Sequence, residues 1–271
     1  MSIELFKKLG LVPGDLKGLR AVDPAQLGAA QVTVLDTDLG DRNAPGGQTL
    51  GVVLDGQTLP EHPLAAIRRG VAVQHPLVLL SARDEARLWF RLGLMRTLRD
   101  EAEFAAEVAR FVGQGAVAGL LTACRDAGQG DLQAMRERFL SHAIYRIPAL
   151  RTALAQTAAG GQAWLARFDW APVGEFAAFG ASHGMCEPFV WGQSDPAVHR
   201  LLQGEDQAPA LAAGMVNALR RFAQTGDPGW PVGPRDATGP GRIFGAPPTA
   251  PSAVALPTSE SHLLLRWQSV E

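Results

Sequence analysis

Two segments carry side chains suited to proton transfer. PLVLLSARDEARLWF (residues 76–90) sets Asp84 and Glu85 directly behind a compact apolar run, and LARFDWAPVGEFAAFGASHGMCEPFVWG (residues 165–192) sets His183 in a glycine-flanked loop. A neutral imidazole can take a proton from a hydroxyl at one nitrogen while a carboxylate on the other fixes its tautomer and steadies the imidazolium. Glu85 and His183 stand nearly a hundred positions apart, so that chemistry requires the fold to join them. The acid segment also has a plain structural reading: Ser81 followed three residues later by Asp84 matches a capping box, and acidic residues suit a helix N-terminus. The two readings are compatible, with Asp84 capping and Glu85 pointing elsewhere. His62, His75, His142, His199 and His262 sit beside prolines, in helical patterns or near the tail, and read as surface or packing residues.

A hydroxyl nucleophile is harder to find. Gly180-Ala181-Ser182-His183-Gly184 satisfies the Gly-x-Ser-x-Gly pattern. A nucleophile elbow needs a strand before the serine and a helix straight after it, and Gly184 and Pro188 disfavour that helix, so Ser182 is rejected. No other serine is suitably flanked, and neither Gly46-Gly47 nor Gly160-Gly161 lies between a strand and a helix. Cys124 and Cys186 fit neither a disulfide framework nor a zinc site, and no histidine pair has metal-ligand spacing, so no metal or other cofactor is expected.

The elements that must position Glu85 and His183 follow from apolar spacing. Residues 4–30 read as helical and loop-like, with Val32–Leu35 and Val52–Leu54 as two short strands or extended pieces around a loop. Pro63 and Gly70 bound a short helix over residues 63–69, and Pro76–Leu80 is short and sharply bounded enough for a buried parallel strand. Residues 84–159 are helical, with Phe104, Val108, Phe111 and Val112 on one face of one helix and another helix opening at Pro148 and ending at Gly160-Gly161. Ala163–Phe168 is the next strand, and Leu211, Met215, Leu219 and Phe222 stripe a final helix that stops at Gly226. Residues 226–257 hold eight prolines and six glycines, the composition of an irregular packed tail. A strand, a helical insertion, a second strand and a closing helix make the later half of a doubly wound α/β sheet, without its central strands.

Composition narrows the setting. The 271 residues include 46% hydrophobic residues, 30 Gly and 19 Pro, and carry a net charge of −2, which suits an ordinary globular protein. The basic pairs Arg68-Arg69 and Arg220-Arg221 fall inside apolar helical patterns and read as solvated faces, so nucleic acid is not an expected partner. MSIELFKKLG lacks the apolar core of a signal peptide, and no run reaches the ~18 apolar residues of a membrane span. A cytoplasmic chain without membrane contact is expected.

The two chemical segments resemble those of type B carboxylesterases, a branch of the α/β-hydrolase superfamily. LPEHPLAAIRRGVAVQHPLVLLSARDEARLWF follows the family's order of a Leu-Pro segment, short helix, strand and Asp-Glu pair, with Ala86 where Gly is frequent. Phe168-Asp169-Trp170, Gly180, His183 and Pro188-Phe189-Val190-Trp191-Gly192 match the family's histidine segment in order and spacing, although Cys186 stands where Glu is usual. SHAIYRIPALR resembles a further family segment with His142 in place of Asp, and MVNALRRFAQTGDPGWP resembles the closing helix and turn with Leu219 where Trp is common.

The resemblance implies a single partial α/β-hydrolase domain over residues 1–271, an incomplete and mostly parallel sheet with a helical insertion. It implies Glu85 as triad acid, His183 as general base, and a small-molecule ester as substrate of the complete enzyme. The family's nucleophile motif and oxyanion loop precede the matching region. The serine is therefore expected outside this chain, on a polypeptide carrying the N-terminal half, and the chain alone is expected to be inactive. A competing expectation is a non-catalytic binding or scaffolding module that keeps the fold, because a fold does not establish chemistry.

Overall fold

A computed structural model describes residues 2–49, 51–128, 131–192, 208–233, 241–245 and 253–254. The chain opens with helices α1 (Ser2–Lys8), α2 (Leu16–Ala21), α3 (Pro24–Val34) and α4 (Leu39–Asn43), then runs without regular structure to α5 (Pro63–Arg68). Asp15, Asp23 and Asp38 cap the second to fourth helices by accepting backbone N–H bonds of the first turn, and the His62 ring does so for α5. Strand β1 (Leu77–Ala82) leads through the turn that holds Glu85 into α6 (Arg87–Arg91). The helical insertion continues with α7 (Glu101–Val112), α8 (Gln114–Gly128), α9 (Leu132–Leu140), a π-helical turn (Ser141–Arg146) and α10 (Ile147–Ala158). Strand β2 (Ala163–Phe168), a 3-10 turn (Gly174–Phe179), α11 (Glu187–Trp191), α12 (Ala208–Thr225), β3 (Gly241–Phe244) and β4 (Ala253–Val254) complete the order.

The sheet has the order β1-β2-β3-β4. The first two strands pair in parallel from Leu77 with Ala163 to Ala82 with Phe168, and β3 pairs in parallel with β2 from Gly241 opposite Leu165 to Phe244 opposite Phe168. Alternation along the two long strands divides the core. Leu77, Leu79, Ala163 and Leu165 face the insertion, where Phe104, Leu120, Phe139 and Leu150 pack. Val78, Leu80, Trp164, Ala166 and Phe168 face the opposite side, against Phe189, Met215, Trp230 and Phe244. β2 thus buries both faces, which is why it reads as an apolar run, while β1 is covered on both faces but only partly buried before Ser81.

Polar groups fix the joints. The buried Gln156 donates its amide to the Ala72 and His75 carbonyls at 2.8 and 2.9 Å, tying α10 to the entry of β1. Trp164 donates its indole N–H to the Trp230 carbonyl at 2.9 Å, and Trp230 returns the bond to Leu165 at 3.0 Å, so the chain after α12 is held on β2. In the insertion, Arg136 is 1% exposed and bridges Glu107 on α7 and Asp38 at the start of α4 with contacts of 2.7–2.8 Å. Gly40 admits the Glu107 carboxylate, because a Cβ there would lie 2.0 Å from its Oε1.

Several sequence expectations are corrected. Val32–Leu35 is no strand: residues to Val34 belong to α3, which Asp23 and Pro24 initiate, and its apolar residues lie all round the helix, leaving no helical stripe to read. Val52–Leu54 is exposed and makes no ladder. The tail beyond Gly226 is less irregular than its composition suggests, since it supplies β3 and β4 from within a Pro/Gly-rich stretch. Ser81 caps nothing: it lies in β1, and α6 starts six residues later behind Ala86, with no side-chain cap. Pro76–Leu80 is displaced slightly, to Leu77–Ala82, whereas Ala163–Phe168 is a strand over the expected residues. Among the described residues no strand pairs with the second edge of β1, and no helix is long and apolar enough to cross a membrane.

Replacing Arg136 by Met leaves two carboxylates buried without their cation. The folded chain should lose about 3–5 kcal/mol in urea denaturation, much more than the loss of an exposed pair such as Arg221–Asp227 would cost.

Candidate active site

β1 and β2 end side by side, at Ala82 and Phe168, and the two chemical segments leave the sheet there. The turn after β1 is anchored from within: the Glu85 Oε1 atom accepts the Ala82 N–H at 2.6 Å, which folds the carboxylate back over the strand end and holds it 6% exposed. Its other oxygen, Oε2, lies 2.7 Å from Nδ1 of His183. The backbone joins the same two residues, His183 N–H donating to the Glu85 carbonyl at 3.2 Å. The structure therefore brings together the two residues on which the sequence places the chemistry.

The rest of the site surrounds the imidazole. The Trp89 and Tyr145 rings lie 5.0 and 5.1 Å from it between centroids, both tilted by about 45°, one from α6 and one from the π-helical turn. These two were not singled out in the sequence, although Trp89 follows Glu85 by one helical turn and Tyr145 lies in the SHAIYR segment. The His183 side chain stays 45% exposed, so one nitrogen is fixed by Glu85 and the ring edge remains reachable. Among the described residues Nε2 has no partner.

The charge balance of the site follows. The hydrogen bond that His183 donates to Glu85 raises the His183 pKa above its ordinary 6.5, burial opposes it, and the negative charges of Glu85 and Glu187 add to the rise. Burial and then the charge of Glu85 push the Tyr145 phenol up, so it stays protonated. The same two causes push the Cys186 thiol up to about 11, so this residue is a neutral thiol and a poor nucleophile.

Ser182 is wholly buried, and its hydroxyl has no hydrogen-bond partner. It is preceded by a 3-10 turn, and the next helix begins only at Glu187. His142 is buried in the π-helical turn with Nδ1 2.9 Å from the Arg138 carbonyl, and His199 and His262 lie outside the described residues. Three carboxylates also meet elsewhere, those of Asp38, Asp41 and Glu107, but Arg136, Arg96 and Arg110 pair with them.

Comparison with known proteins agrees with this arrangement of elements. No protein-family model matches the chain. The para-nitrobenzyl esterase of Bacillus subtilis is 29% identical over 186 residues, covering 66% of this chain and 36% of that protein. A crystal structure of a carboxylesterase from Geobacillus stearothermophilus superposes with a TM-score of 0.77 at 24% identity, over 98% of this chain and 53% of the other. This chain has the fold of the C-terminal part of a type B carboxylesterase. A structure of PNB esterase agrees, with a TM-score of 0.75 at 24% identity over 97% of this chain and 52% of that one. The chain spans about half the length of these solved structures and about a third of the curated relative.

Because Glu85 raises the folded-state pKa of His183, the pair stabilises the fold fully below the unfolded-state value, and this contribution is lost as pH rises through the folded-state value. Glu85→Gln should therefore lower the His183 midpoint in an NMR titration and remove that part of the pH dependence of stability. An unchanged midpoint would mean that the carboxylate does not bond the ring in solution.

Proposed function

We propose that the chain supplies the acid and the base of a Ser-His-Glu triad for carboxylic ester hydrolysis, with the nucleophilic serine and oxyanion donors on polypeptide beyond these 271 residues. The observation that carries this reading is the 2.7 Å contact between Glu85 Oε2 and His183 Nδ1, made beside the carboxyl end of parallel strands. In the complete site, His183 Nε2 takes the proton of the serine hydroxyl as its oxygen bonds the acyl carbon. It then gives that proton to the departing alcohol. In the second half it takes a proton from water, whose oxygen attacks the acyl-enzyme, and returns the proton to the serine as the acid leaves. Glu85 stays ionised throughout and holds the tautomer.

Two further features support the assignment of the serine elsewhere. Ser182 offers no exposed hydroxyl. Among the described residues no strand pairs with the second edge of β1, where a parallel sheet would ordinarily continue, and the sheet face under α12 keeps an apolar groove of about 230 Å³ lined by Val78, Leu80, Ala166, Phe222, Trp230 and Phe244. The partner in this reading is the strand-and-helix half of the same fold, and the substrate class is a small ester, in line with relatives named a para-nitrobenzyl esterase and a carboxylesterase.

The test is hydrolysis of a short-chain aryl ester. The purified chain and its Ser182→Ala variant should both turn over negligibly. Combined with a polypeptide that bears an elbow serine of this family, the chain should gain turnover that His183→Gln lowers by roughly 10⁴–10⁶-fold. Turnover by the chain alone that Ser182→Ala abolishes would overturn the proposal.

A further inference from the structure

Asp84 precedes the triad acid of that proposed reading, and its own contacts are what seat the histidine loop. Its backbone N–H donates to the Ala181 carbonyl at 2.9 Å, and its Oδ2 accepts the Ala181 N–H at 3.1 Å. Glu85 also meets His183 twice, its carbonyl accepting the His183 backbone N–H and its carboxylate bonding the ring at Nδ1. Two successive acidic residues thus clip two alternate residues of the loop, and the register of the second clip is set by the first. The Ala181 and Ser182 between and beside the clips are fully buried, so the loop has no room to rotate once Ala181 is held.

Asp84 is itself held. Arg83 donates to its Oδ2 through Nε and Nη2 at 3.1 and 2.9 Å, and Arg87 through Nη1 at 3.2 Å. Arg87 in turn donates from Nε to Glu137 of α9 at 2.7 Å, and the Ala86 N–H donates to the Ser141 hydroxyl at 3.0 Å. The helical insertion therefore grips the acid turn at two points. Gly180 completes the fit: it has φ +58°, and a Cβ there would lie 2.1 Å from Arg87 Nη1 and 2.7 Å from Asp84 Oδ2.

We infer that Asp84, braced by Arg87 and Glu137, is a positioning residue that fixes the distance between the Glu85 carboxylate and the His183 imidazole. This rests on the reading of Glu85 and His183 as the acid–base pair. Both Asp84 contacts go to the backbone of Ala181 and neither to the imidazole, so its action runs through loop geometry.

The experiment observes the hydrogen-bonded Nδ1 proton of His183 by low-field proton NMR on the full chain, assigned by its loss in His183→Gln, together with the His183 titration midpoint. The wild-type chain should show the low-field resonance and a raised midpoint. Asp84→Ala should lose the resonance and bring the midpoint down toward 6.5. Asp84→Asn, whose amide oxygen can still accept the Ala181 N–H, should keep the resonance, a rescue that a general loss of stability would not produce. If Asp84→Ala does not fold, Gly180→Ala decides by the same two readings, because it forces the clip apart with every charge retained.

A resonance and midpoint unchanged in folded Asp84→Ala, or in Gly180→Ala, would overturn the inference, as would their loss in Asp84→Asn. Absence of the resonance from the wild-type chain would overturn the acid–base pair as well. Failure of ester hydrolysis in the combined enzyme bears on the proposed function alone.

Discussion

A carboxylate and an imidazole from distant parts of the chain share one hydrogen bond, and most of the described structure bears on keeping that bond in place. The parallel register of β1 with β2 brings Ala82 level with Phe168, so both segments start from one line. The Ala82 N–H draws the Glu85 carboxylate back to that line, and the loop beyond Phe168 has to return over it. Any slip of the two strands by one residue would turn Glu85 away and reverse which side chains of β1 meet the insertion.

The helical insertion is therefore more than a spacer between strands. It covers one face of the sheet with Phe104, Leu120, Phe139 and Leu150, and it presents Glu137, Ser141 and Tyr145 to the turn that holds Glu85. Three residues of one continuous helical run, from α9 into the π-helical turn, thus touch the acid turn, the helix that follows it or the imidazole. Further from the site, the Arg136 bridge between α7 and the start of α4 attaches the N-terminal helices to the same insertion.

How far the sequence disclosed this arrangement depends on the kind of signal each part carries. β2 was legible to the residue because an apolar run buried on both faces and bounded by Gly160-Gly161 leaves little latitude. Glu85 and His183 were legible because a carboxylate and an imidazole with family-like flanks stand out, although their 2.7 Å contact is a property of the ladder that no local pattern reports. Helix α3 was missed because its apolar residues do not form a stripe, and β3 because four strand residues are surrounded by residues typical of turns. Asp84 was seen but given the wrong partner: a capping box was expected, whereas its oxygen takes the Ala181 N–H nearly a hundred residues away. Local motifs name which groups are chemically able, and long-range pairing decides which group each one meets.

The pairing pattern also bears on how quickly such a chain can become native. Leu77 pairs with Ala163 and Leu165 with Gly241, so neither parallel ladder can form by zipping from an adjacent turn. Each must close a very long loop first, and a topology of this kind folds slowly because chain entropy is lost before the contacts that compensate for it exist. The helices between β1 and β2 shorten the first of these loops by collapsing it locally. The reciprocal indole bonds of Trp164 and Trp230 perform a comparable service for the second, returning the chain to β2 before β3 arrives.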